Sequence, residues 1–215
     1  NFFSGRDKTR ELNFAKLAVE NKLNIRFRLS LRANDVDDTV IKALKKAGLF
    51  AVSCGVESFV SRKLKDWKKG ATVGQNHQAI DILAANGIFV QMGHIMFDPF
   101  INKQEIETEL EGLKKTEWAV TKGICTQLFA ADGTPITERL KHEVGFKGRE
   151  GTNNVWEIID PNARIFRDTL RIWAKATSAL YDKVIDPISA PKNIPVEGHR
   201  KFHELCQEMR QMDMM

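Results

Sequence analysis

The chain has 215 residues, 42% of them hydrophobic, and a formal net charge of +5. That apolar content supports one sizeable core and excludes a disordered chain, while no apolar run approaches the roughly 20 residues of a membrane span. Lys and Arg are dispersed among acidic neighbours rather than gathered in blocks, which speaks against nucleic acid as a partner.

Asn1-Phe2-Phe3-Ser4-Gly5 is apolar and abrupt, and reads as the end of a strand begun upstream, so a piece of a longer protein is expected. A helix pattern of Leu12, Phe14, Leu17 and Ala18 follows. From Leu23 to Leu31, Ile25, Phe27, Leu29 and Leu31 alternate with Arg26, Arg28 and Ser30, the period of a strand with one polar face, ending at Arg32. Asn34 or Asp35 is expected to cap a helix carrying Val36, Val40, Ile41 and Leu44, which Lys45, Lys46 and Gly48 close. Phe50 to Val56 is a short apolar run, the mark of a parallel strand buried on both faces. It empties into Glu57 and Ser58.

The next helix carries Phe59, Val60, Leu64 and Trp67 on one side and Lys63, Lys65, Lys68 and Lys69 on its solvated remainder, and stops at Gly70. Thr72 opens another, with Ile80, Ile82 and Leu83 as its stripe. Ile88 to Met96 reads as a second buried strand running into Phe97-Asp98-Pro99, Lys103 to Lys115 as a helix, and Ile124 to Ala130 as a third strand. Asp132-Gly133-Thr134-Pro135 is a turn by its residues, and Lys141 to Asn154 a loop. Pro161 to Lys183 and Val196 to Met212 read as helices.

Such alternation of strand ends and helices defines an α/β fold with a parallel sheet, an open one or part of a barrel. The expected division is a barrel-like front over residues 1–140 and a mainly helical extension over 141–215. Ligands bind at the C-terminal ends of parallel strands. Arg32, Glu57 with Ser58, and His94 to Pro99 recur at those ends and share one rim. A carboxylate accepts ribose hydroxyls or an ammonium and an arginine fork holds a carboxylate, so the rim suits a zwitterionic or sugar-bearing small molecule. The plainer alternative is that Arg32 and Glu57 pair with each other.

His94 alone lacks the company that acid–base or metal chemistry requires, and is read as structural or substrate-lining. His199, His203 and Cys206 share a helical face compatible with zinc, yet with no fourth ligand an exposed helix face is the simpler reading. Cys54, Cys125 and Cys206 form neither a disulfide framework nor a metal knuckle, the usage of a reducing, cytoplasmic compartment. There is no Walker loop, Gly-x-Ser-x-Gly elbow or dinucleotide fingerprint.

In order along the chain, Leu44-Lys45-Lys46-Ala47-Gly48-Leu49, Gly55-Val56-Glu57-Ser58, Lys68-Lys69-Gly70-Ala71-Thr72, Asn86-Gly87-Ile88 and His94-Ile95-Met96-Phe97-Asp98-Pro99 resemble the later part of the radical S-adenosylmethionine catalytic barrel. The likeness is greatest to members with an upstream cobalamin-binding domain. Asn1-Phe2 is similar to the family's Asp-Asn-Phe-like end of the second strand, and Asp132-Gly133-Thr134-Pro135-Ile136 to its Pro-Gly-Thr-like turn after the sixth. The resemblance implies a partial parallel (β/α) barrel with a C-terminal helical extension, in which Phe50 to Ser58 is the fourth strand. It implies Glu57 and Ser58 near the ribose or amino-acid part of S-adenosylmethionine, Lys68 or Lys69 toward its carboxylate, and Ile95 and Met96 beside its adenine. Arg32 would stand at the mouth, and His94 and Asp98 would line the substrate side. Two departures are plain. The three closely spaced cysteines that hold the family's [4Fe–4S] cluster are absent, and Phe97-Asp98-Pro99 stands where many relatives have Gly-x-Pro.

The expectation is therefore a fragment of a radical S-adenosylmethionine oxidoreductase or transferase, inactive alone. It would bind S-adenosylmethionine and an unidentified substrate, the [4Fe–4S] cluster and a cobalamin belonging to the full-length parent. One alternative is a non-catalytic binding or scaffold domain; another is an iron-independent barrel enzyme with Glu57 and His94 as acid and base. Strand edges left open by a missing first strand would favour a homodimer.

Overall fold

The structure, a computed structural model, describes residues 7–121, 124–189 and 196–215, so the strand end read at Asn1 to Gly5 lies outside the described residues. Helix α1 (Thr9–Glu20) leads into β1 (Phe27–Arg32), α2 (Asp38–Lys46) into β2 (Leu49–Glu57), α3 (Ser61–Asp66) and α4 (Val73–Ala85) into β3 (Phe89–His94), and α5 (Lys103–Lys114) into β4 (Ala119–Val120). These strands form one parallel sheet in the order β1-β2-β3-β4. The architecture is α/β with an incomplete parallel sheet, followed by α6 (Pro135–Glu143), an antiparallel hairpin of β5 (Gly148–Glu150) and β6 (Asn153–Val155), and the long helices α7 (Pro161–Ser189) and α8 (Val196–Asp213).

Local chemistry sets the boundaries. Thr72 and Gln75 form a reciprocal capping box at the start of α4, and Asn102 caps α5 by accepting from Glu105 N at 3.0 Å. The α2 cap is Asp37, whose Oδ1 accepts from Val40 N at 3.0 Å, rather than Asn34 or Asp35, because residues 33–35 spend themselves in a single 3-10 turn. Gly48 joins α2 to β2 at φ 108°, where a Cβ would meet Ile25 O at 1.9 Å; only glycine passes there.

The sheet has two different faces. Leu31, Val52, Cys54, Val56, Val90 and Met92 are buried with Val40, Ile41, Leu44, Ile80 and Leu83 of the helices in the main core. On the opposite face Ser30, Arg32, Ser53, Gly55, Glu57, Gln91 and Gly93 are half-buried or exposed. The second half of β2 is thus not buried on both faces as its apolar run suggested; small side chains at Ser53 and Gly55 disguise a period-two strand.

Two readings of the later chain need correction. Residues 124–130 do not form a continuous strand: they lie beside the end of β3 through an isolated bridge between Phe97 and Gln127, with Leu128 N donating to Phe97 O at 2.8 Å. Their remaining carbonyls go to the hairpin, Trp156 Nε1 donating to Leu128 O at 3.0 Å and Asn154 N to Ala130 O at 3.1 Å. The supposed loop from Lys141 to Asn154 holds the end of α6 and most of that hairpin. Residues from both sides of position 140, among them Phe97, Leu128, Trp156 and Ala163, share the main core.

Finally, His199, His203 and Cys206 are buried, not on an exposed helix face. They pack with Phe50, Ala51, Phe89, Val120, Tyr181 and Met209, the His203 ring lying 5.1 Å from Phe89 and 4.7 Å from Trp118. Imidazole here acts as an aromatic packing surface. Arg210, also buried, donates to the carbonyls of Leu113, Thr116 and Ala119, tying α8 to the end of α5, the turn after it and the start of β4. Desolvation pulls His203 down to about 4. Its neutral form is the folded one, so its contribution is complete above the unfolded value near 6.5 and is lost as pH falls through about 4. We expect about 3 kcal/mol of stability to disappear between those values, and urea titrations of His203→Phe to show a flatter profile across that window.

Candidate functional site

The open face of the sheet carries a cavity of about 460 Å³, within the range of small-molecule sites, over the C-terminal halves of β1, β2 and β3. Its base is polar. Arg28 donates to Ser53 Oγ and, at 3.0 Å, to Gln91 Oε1, tying three strands together, and burial pulls its guanidinium below the ordinary arginine value. Above these, Gly55 and Gly93 face each other in register; Gly93 leaves space where a side chain would stand, while a Cβ at Gly55 would lie 3.1 Å from Glu57 Oε1.

Glu57 closes one side. It sits at φ 68°, uncommon for a residue with a side chain, with Ser58 N donating to Val56 O across it at 2.8 Å and Ile95 N to its own carbonyl at 2.7 Å. A hydrogen bond spanning one residue of positive φ is the strained form of the γ-turn. Lys69 Nζ lies 3.1 Å from Glu57 Oε1. Lys68 instead lines a separate cleft with Ser61 and Leu64. Arg32 lines the cavity, exposed, its side chain without a hydrogen bond or ion pair to another described residue, so Glu57 pairs with Lys69 and not with Arg32.

Four other residues expected at this rim, Ser58, His94, Met96 and Asp98, have their side chains buried away from the cavity. Period two that turns Gly93 to the cavity turns His94 to the helices, where its side chain is wholly buried and Nε2 lies 3.0 Å from Glu109 Oε2. Ser58 is fully buried and donates to Glu109 Oε1. Asp98 is fully buried and accepts from Arg62 at 3.1 and 3.2 Å. Met96 is fully buried in the core, and Ile95 is half-buried. Backbones at strand ends share a rim; their side chains do not. His94 therefore does not reach the cavity that Glu57 lines, and an acid–base pair of the two has no geometry here.

Lys63, expected on the solvated side of its helix, is instead fully buried and meets Glu109, to which the sequence assigned no role, in this layer. Lys63 Nζ lies 2.8 Å from Glu109 Oε1 and donates to the carbonyls of Ile95 at 3.1 Å and Met96 at 2.6 Å. Burial alone would raise the Glu109 carboxyl, but His94 and Lys63 outweigh it and hold it at about 2. The signal was present: Lys63 falls on the Val60, Leu64, Trp67 stripe and Glu109 on the Ile106, Leu113 stripe, both at helical spacing.

Cys54, Cys125 and Cys206 are free cysteines that do not gather into one group. Cys54 lies in the main core and Cys206 in the core beneath α8, each thiol pushed up to about 12 by burial. Among the described residues no three His, Cys, Asp or Glu side chains form a metal-binding group. No helix among them is long and apolar enough to cross a membrane.

The family model of the radical SAM superfamily matches residues 2–113. The chain belongs to the radical SAM superfamily. Over 87 residues it is 30% identical to the anaerobic magnesium-protoporphyrin IX monomethyl ester cyclase of Rubrivivax gelatinosus, covering 40% of this chain and 16% of that protein. It is 27% identical over 111 residues to an uncharacterized methyltransferase of Pyrococcus horikoshii, covering 52% of this chain and 24% of the relative. Its fold matches that of the cobalamin-dependent S-adenosylmethionine radical enzyme OxsB, solved with aqua-cobalamin and S-adenosylmethionine bound, at a TM-score of 0.75 and 16% identity, over 100% of this chain and 38% of that one. This radical SAM chain thus spans well under half the length of each of these relatives.

Proposed function

We propose that this chain is the S-adenosylmethionine- and substrate-facing side of a radical SAM oxidoreductase or transferase, with residues 1–140 as the later part of the catalytic barrel. The observation that carries the reading is the Glu57–Lys69 pair beside an open cavity. A carboxylate and an ammonium at one rim complement the amino-acid end of S-adenosylmethionine, Glu57 accepting from its ammonium or from ribose hydroxyls and Lys69 receiving its carboxylate. Arg32, unpaired at the mouth, offers a second cation for that carboxylate or for substrate. Ile95, with surface remaining, is the better candidate of the two apolar residues to lie beside the adenine. Ser58, His94 and Asp98 enter this reading as support behind the cavity rather than as ligand contacts.

The [4Fe–4S] cluster, which supplies the electron for the family's chemistry, is assigned to the parent protein, as is any cobalamin. On this reading the isolated chain is inactive, and after anaerobic reconstitution with iron and sulfide it develops no cluster signal by paramagnetic resonance. A Cβ at Gly93 would make only ordinary contacts, 3.6 Å to Cys54 O and 3.7 Å to Gly55 Cα, so Gly93→Val suits the strand while filling the cavity. Titration calorimetry with S-adenosylmethionine tests the reading: we expect saturable binding by the native chain and at least a tenfold loss in a Gly93→Val variant whose thermal midpoint is unchanged or higher. No heat from the native chain, or equal affinity in the variant, overturns it.

A further inference from the structure

We propose that Glu109, buried in α5 and outside the cavity, is a positioning residue for the site: it holds the turn after β2 in the strained conformation that presents Glu57 to a ligand. This rests on the S-adenosylmethionine reading for the identity of the ligand, but the turn itself is a matter of geometry.

Residues 56–60 form a chain of satisfied bonds around one unfavourable backbone angle. Glu57 at φ 68° is spanned by the bond from Ser58 N to Val56 O. Nothing in the Glu57 side chain stabilises that angle, so the surroundings must impose it. Besides the bond from Ile95 N to Glu57 O, side chains from two helices do so. Asn76 of α4 donates through Nδ2 to Val56 O and to Ser58 O, each at 2.9 Å. Glu109 of α5 accepts the Ser58 hydroxyl and, at 2.8 Å, the Phe59 N–H, and Val60 N in turn donates to Ser58 Oγ at 2.9 Å.

The remaining partners of Glu109 steer its oxygens to this turn. Lys63 supplies the counter-charge and also grips the Ile95 and Met96 carbonyls, while His94 takes the second oxygen. Close approach of α5 depends on Gly112, where a Cβ would stand 2.1 Å from the Phe59 ring. A buried ion pair is not in general a good source of stability, since apolar residues of similar volume do as well or better. What an apolar pair cannot do is accept from Ser58 Oγ and Phe59 N together.

The test separates charge burial from positioning. Lys63→Met with Glu109→Leu removes the charges and both Glu109 ties to the turn at similar volume, leaving those of Asn76; Lys63→Met with Glu109→Gln removes the charges but keeps an acceptor for the turn. We expect both double variants to fold, the first with Glu57 displaced from positive φ in a crystal structure and S-adenosylmethionine affinity down at least tenfold, the second with both largely restored. Should the leucine double variant fail to fold, Ser58→Ala cuts one tie only, and a severalfold affinity loss with Glu57 displaced is expected from it. Identical Glu57 geometry and affinity in the leucine, glutamine and native proteins overturns the proposal. If the native chain does not bind S-adenosylmethionine the ligand assignment falls, while the Glu57 geometry in the variants still decides the role of Glu109.

Discussion

Replacing Glu57 with glycine is expected to stabilise the fold by about 0.5–1 kcal/mol while abolishing binding in the cavity. The residue sits at φ 68°, a region that costs a side-chain-bearing residue about 1–2 kcal/mol and glycine nothing. Against that gain stands the loss of the Lys69 ion pair, whose side chains are 37% and 25% exposed and whose worth is a few tenths of a kcal/mol after solvent screening. Backbone relief therefore wins. Glu57→Gln is the control, since it keeps the strain and loses the charge; it should be no more stable than the native chain and bind as poorly as the glycine variant. For a chain of this length the difference corresponds to a thermal midpoint about 2–3 °C higher for glycine. A glycine variant less stable than the glutamine variant would mean that the angle is not strained. A residue kept at a cost to stability where it faces a cavity is the pattern of a functional group, not of a packing one.

The same position shows how far sequence reasoning reaches. Some helix starts and stops were legible because their signals are local: Gly48 and Thr72 act within a turn of the chain, whereas the start of α2 falls at Asp37 and not at the expected Asn34 or Asp35. That β1 to β3 pair in parallel followed from strand and helix alternation. Which way a residue faces at the end of a strand did not. Ser58 and His94 were grouped with Glu57 because sequence places them at one rim, and the alternation of side chains then divides them between a cavity and a core. Polar residues within apolar stripes were similarly discounted, since a lone Lys63 or Glu109 looks like a solvated charge until its partner arrives from another helix. His199 and His203 repeat the lesson: the polar character of α8 as a whole hides the face that packs under Phe50 and Phe89. Pairing across long sequence separations is the part that periodicity cannot supply.

Breaking the buried pair one partner at a time should be the most destabilising change in the sheet layer. Glu109→Gln leaves the Lys63 ammonium with no anion at zero exposure, and Lys63→Met leaves the Glu109 carboxylate buried without its ammonium. Each is expected to cost about 3–5 kcal/mol, the usual penalty of an uncompensated buried charge. The double variant restores electrical balance and should cost far less than the sum, a coupling of several kcal/mol measurable by urea denaturation of all four proteins at pH 7. Acid gives an independent reading. A carboxyl held at about 2, below its ordinary value near 4.5, contributes stability that is complete above about 4.5 and is lost as pH falls toward 2. That loss belongs to the native chain and should be missing from Glu109→Gln, which has nothing to protonate there. His203 titrates higher, beginning below about 6.5, so the two acid transitions separate on the pH axis and each variant should remove only its own. If the single variants were no worse than the double, Lys63 and Glu109 would each be solvated or otherwise compensated, and the clamp on the Glu57 turn would lack the rigidity that positioning demands.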